Sequence, residues 1–181
     1  MPVQTVQQFK DLGAAEVSFN SVVLGKTVEN PGAGTHGGVG VKYAVASKDT
    51  MRDSLGSNPF DSIAISNIFQ VVANLSGLSL VQLKEVIPGA TLSTGAQKQL
   101  ILGNPVGISA RDNAKELIIK PILADVVSVD ETEWIRVPLA YPSPELDFSF
   151  DYDNQKGYAV NFKCFNDLTT GTVATIGQDS T

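Results

Sequence analysis

Tyr158-Ala159-Val160-Asn161-Phe162-Lys163-Cys164 switches between carbon-rich and smaller or polar side chains at every step. Successive side chains of a strand point to opposite faces, so this period of two puts Tyr158, Val160, Phe162 and Cys164 on one side. Just upstream, Phe148, Phe150 and Tyr152 alternate with Asp147, Ser149, Asp151 and Asp153. Asn154-Gln155-Lys156-Gly157 joins the two runs and is rich in turn formers. The whole of 146–165 therefore predicts a β-hairpin.

Outward from that hairpin the same period recurs. Val39, Val41, Tyr43 and Val45 alternate with Gly40, Lys42, Ala44 and Ala46. Residues 61–75, rich in Ile, Val and Phe, predict a long strand; 16–24, 97–102, 116–124, 134–140 and 173–176 predict shorter ones. Pro121 cannot donate to a ladder and marks an edge or a bulge; Pro142 and Pro144 end the 134–140 strand. One helix stands out. Ser79-Leu80-Val81-Gln82 fits a capping box, Leu80, Leu83 and Ile87 lie near one face, and Pro88-Gly89 stops it. At about two turns it is too short to stand alone and must pack on a sheet. Residues 25–38 are Gly-rich and read as a loop. Residues 47–59 are polar and read as a second one, long enough to need a purpose.

Roughly eight strands, one helix and no βα alternation predict a mainly β fold. The expected form is two packed antiparallel sheets, as a sandwich or open barrel, with one short flanking α-helix. No composition shift or repeat divides the chain, so 1–181 reads as one domain with an arm at 1–13 and a tail at 177–181.

Composition removes several classes of function. Apolar residues are 43% of the 181, enough for a core. No run approaches the ~18 apolar residues that span a bilayer. The first ten residues lack the basic-then-apolar order of a signal peptide, so the chain reads as made and kept in a cytoplasm. Cys164 and His36 are the single cysteine and histidine, which excludes an internal disulfide and most transition-metal sites. Lys and Arg total 13 against 19 Asp and Glu, a net charge of −6 that disfavours tight nucleic-acid binding but suits a surface past which DNA slides.

Catalytic motifs are missing or lack their context. Gly32-Ala33-Gly34-Thr35-His36-Gly37 matches the letters of a dinucleotide fingerprint, yet a strand pattern follows where the phosphate-binding helix should start. His36 reads as a loop histidine, and Cys164 as a core thiol on the apolar side of its strand. The acids from Asp125 to Asp153 are dense, with Arg136 the only base among them. Paired carboxylates could hold calcium or do acid–base work. On the polar face of a strand Asp147, Asp151 and Asp153 read first as a solvated or assembly surface. These observations point to a non-enzymatic protein without cofactor or metal.

The order of elements resembles a known family. Ile87-Pro88-Gly89-Ala90-Thr91-Leu92 is similar to the helix exit of bacteriophage tail tube (major tail) proteins. Lys115 to Pro121 resembles their KELxLxP strand, and Val137-Pro138-Leu139-Ala140 their xPLA segment. Tyr158 to Lys163, then Asn166-Asp167 and Gly171, resemble their closing strand and turn. The likeness runs from about residue 14 to 177. It implies a subunit of a homo-hexameric ring, with rings stacked into a tube in the virion tail that conducts genomic DNA without binding it specifically.

Partners implied are the tape measure, baseplate or tip, and terminator proteins, with a sheath in tails that have one, and no small-molecule substrate. By that resemblance the hairpin 146–165 and the strands 38–46 and 61–73 line the lumen, with Asp147, Asp151 and Asp153 as lumen acids. The loop Ser47-Lys48-Asp49-Thr50-Met51-Arg52-Asp53-Ser54 would reach a neighbouring subunit or ring. The inner tube of a bacterial secretion or contractile-injection machine, and a β-sandwich module binding a sugar or a cell surface, are the alternatives.

Overall fold

The structure, a computed structural model, describes residues 14–25, 34–51, 59–93, 95, 97–123, 126–145 and 157–177. The fold is mainly β and antiparallel with one short helix, as the alternation predicts. The strands are β1 Ala15–Phe19, β2 Val22–Val23, β3 Gly34–Met51, β4 Pro59–Ser76, β5 Thr91–Leu92, β6 Leu100–Ile101, β7 Lys115–Leu123, β8 Val126–Val127, β9 Ile135–Glu145, β10 Gly157–Cys164 and β11 Thr175–Ile176; the helix α1 is Leu80–Val86. Nine strands form one sheet in the order β2-β1-β7-β9-β10-β4-β3, with β8 on β7 and β11 on β9; β5 and β6 form a small second sheet. The path does not close into a barrel.

The large sheet folds over its own apolar face. Phe19 of β1 and Phe162 of β10 are separated by two strands along the path, yet their ring centroids are 5.4 Å apart. Between these two halves lie Val17, Leu24, Val71, Leu75, Leu117, Ile119, Val137 and Val160, all fully buried. Each such side chain contributes about 1.5–3 kcal/mol relative to exposure. Helix α1 covers one end. Ser79 and Gln82 form the predicted box, the Gln82 amide N–H donating to Ser79 Oγ and the Ser79 N–H to Gln82 Oε1. The buried face is Gln82, Leu83 and Val86 rather than Leu80, which is exposed. Buried Gln82 also donates Nε2 to the carbonyls of Val23 and Gly25, which ties the helix to the β1–β2 hairpin.

Several boundaries differ from expectation for identifiable reasons. Residues 16–24 are two strands, because Asn20 (φ 50°) and Ser21 (φ 64°) make a tight turn that matches strand twist. Pro142 and Pro144 do not end β9. They stand opposite Phe162 and Val160, while Phe165 donates its N–H to the Leu139 carbonyl. Hydrogen-bonded and non-bonded pairs alternate in an antiparallel ladder. The prolines therefore occupy non-bonded pairs, where the ladder requires no donor.

Of the hairpin expected over 146–165, the second strand is β10, whose described partners are Ala140–Glu145 of β9 and Gln70–Ser76 of β4. Residues 146–156 themselves lie outside the described residues.

Candidate assembly surface

β3 and β4 are 18 residues each, about 60 Å if straight, and pair with each other along nearly their full length. Of the loop expected at 47–59, residues 47–51 and 59 are strand, and 52–58 lie outside the described residues. Ser47 pairs with Ala64, Lys48 with Ile63, Asp49 with Ser62, Thr50 with Asp61 and Met51 with Pro59. Of the proposed contact loop, Ser47, Lys48, Asp49, Thr50 and Met51 therefore belong to β3, while Arg52, Asp53 and Ser54 lie outside the described residues. Polarity misled here. Side chains of a two-stranded arm need not be apolar when neither face meets the core. Residues 34–38 of the expected Gly-rich loop are strand as well, with a bulge between Thr35 and Val39, so no helix follows the Gly-rich letters.

Near β10 the hairpin is core. Val71 and Leu75 are 0% exposed. From Lys42 outward on β3, and inward to Ile68 on β4, it becomes an arm with few neighbours. Tyr43 is 62% and Ile65 64% exposed, and Val45, Phe60, Ile63 and Ile68 are exposed too. Tyr43 shares the core-side face with Phe69, its cross-strand partner, and the rings are 6.3 Å apart. Ile68, opposite Ala44, lies on the other face. Between Ala46 and Ser47 the register slips, so Ile65 has no partner of its own on β3. The slip reverses the parity of β4 beyond it and moves Ile63 to the face of Ile68. Both faces of the arm thus carry large apolar side chains.

The arm also has a free backbone edge. Alternation fixed at the prolines carries across the sheet. Tyr141, Ser143 and Glu145 exchange hydrogen bonds with β10; Val160 and Phe162 exchange theirs with Ala73 and Val71; and Val72, Gln70 and Ile68 exchange theirs with Gly40, Lys42 and Ala44. The N–H and C=O groups of Val41, Tyr43 and Val45 consequently point out of the sheet. No described strand meets them.

The candidate lumen acids Asp147, Asp151 and Asp153 lie outside the described residues. Among the described residues, no group of three or more His, Cys, Asp or Glu is placed to hold a metal. Burial pushes the Cys164 thiol up to about 11, with the Val71 amide opposing, so it stays protonated at neutral pH and is a poor nucleophile. Among the described residues one charge cluster joins strands. Lys120 Nζ and Arg136 Cζ stand 4.6 and 5.0 Å from the Trp134 ring, and pair with Glu16 at 3.5 Å and Glu131 at 2.7 Å. It fastens β1, β7 and β9 together.

A comparison with protein-family models finds no match, and a comparison with curated proteins finds none either.

Proposed function

We propose that the chain is a structural subunit of a viral tail tube, six copies closing a ring and rings stacking into a hollow conduit for the genome. The observation that carries this reading is the β3–β4 arm. An 18-residue edge strand with open donors and acceptors, and exposed Tyr43, Val45, Ile63, Ile65 and Ile68 on two faces, needs a neighbour. Unpaired edges of this length invite association unless another strand completes them. A second copy, arriving head to tail with rotational closure, completes every edge identically. The family resemblance supplies the number six and the stacking.

The test is electron microscopy of the purified protein with a mass measurement in solution. Hollow rings or tubes are expected. A compact monomer that persists at high concentration and beside a baseplate template would defeat the reading.

A further inference from the structure

Resting on the tube reading, we propose that the open face of the β9–β10–β4–β3 part of the sheet touches the phosphate backbone of passing DNA through a cross-strand row of two lysines. Lys163 stands opposite both Tyr141 and Gln70, and Gln70 opposite Lys42. Tyr141, Lys163, Gln70 and Lys42 therefore lie in one line across four strands. Their neighbours on the core side, Val71, Val160 and Phe162, are buried, so by alternation the row faces away from the core. Lys42 and Lys163 are exposed and meet no carboxylate among the described residues. Their strands are two apart, about 10 Å.

Toward β9 and β10 the surroundings of the row are mostly polar. Ser143, Asn161 and Asn74 surround the row, and such side chains commonly hold phosphate oxygens. Val72 and Tyr141 are the large carbon-rich groups beside the row on these strands, while exposed Ile68 and Ile63 lie on the same face further out along the arm, where a neighbouring copy would cover them. Glu145 enters the ladder only four residues further along β9, opposite Ala159. A duplex presents a negative charge about every 1.7 Å of its axis, so both ammonium groups find phosphates in any register without reading sequence. The net charge of −6 opposes this contact everywhere else, which keeps it weak and lets the polymer move.

Fluorescence anisotropy of a labelled duplex with assembled protein tests the proposal, with electron microscopy of the same samples. Wild type should bind at about 50 mM salt and release by about 200 mM, and Lys42→Gln with Lys163→Gln should lower the salt slope by about 0.9 for each phosphate that is no longer neutralised. An unchanged slope in the double variant, or tubes that ignore DNA at low salt, overturns the row and leaves the tube reading standing. DNA binding by a protein that never assembles supports the row and removes the tube. Capture of labelled polyglutamate but not DNA by the same face overturns the nucleic-acid assignment.

Discussion

The two ends of the β3–β4 hairpin share strands, pairing and β-branched composition, and differ in what covers them. Around Val71, Ala73 and Leu75 a second layer closes over the hairpin. Around Tyr43, Val45, Ile65 and Ile68 no layer does so among the described residues. The contrast shows that alternation encodes a strand but not its cover. On the proposed tube reading the arm is covered by another copy, and stability and assembly should then separate along one hairpin.

The largest separation is expected from a core truncation. Phe162→Ala removes a fully buried ring that packs on Phe19, and should cost about 3–5 kcal/mol in urea unfolding. Ile65→Ser or Val45→Ser in the arm should change monomer stability by less than about 0.5 kcal/mol while abolishing higher assemblies in sedimentation. Equal losses of stability from both kinds of variant would erase the distinction. Gly103→Ala comes next. A Cβ there would collide with the Gly89 carbonyl, a backbone group that cannot rotate away, and should cost about 1–3 kcal/mol without touching the arm.

Gln82→Leu should cost about 1–3 kcal/mol, because the Val23 and Gly25 carbonyls lose their donor, and this too should leave assembly intact once folded. The smallest effect concerns Cys164. Its raised pKa stabilises the fold fully below the unfolded value of 9.0, and this contribution is lost as pH rises through about 11. Cys164→Ala should flatten the fall of the urea midpoint across that window.

Much of this fold is legible in residue order. The capping box at Ser79 and Gln82, the strand at 61–75 and the alternation at 158–164 all arise from local chemistry, and each stands where the residues place it. What is not legible depends on distant partners. Pro142 and Pro144 read as a stop because a proline removes a donor, but whether the donor is missed depends on which way that backbone unit faces. Asn154 to Gly157 reads as a tight turn, yet the partner of β10 is set by a ladder that reaches back to β4. Ser47 to Met51 read as a loop because polarity signals solvent, and the outer part of β3 is polar although it is strand. The apolar residues of the arm left a fainter signal, namely too many Ile and Val for a strand with one face in water. The lysine row is invisible until register aligns 42, 70 and 163.

The place of β10 in the sheet has a consequence for biogenesis. β3 and β4 are neighbours in sequence and can zip up as soon as residue 76 has left the ribosome. Their central partner is Gly157–Cys164, and β9 reaches β4 only through it. The hairpin must therefore wait, apolar faces bare, while residues 77–156 are synthesised. Long-range pairing of this kind is slow, and waiting strands are open to mispairing. The rate at which the cell delivers β10 sets how long each nascent chain remains vulnerable, and a chain interrupted before residue 157 has no route to a finished sheet.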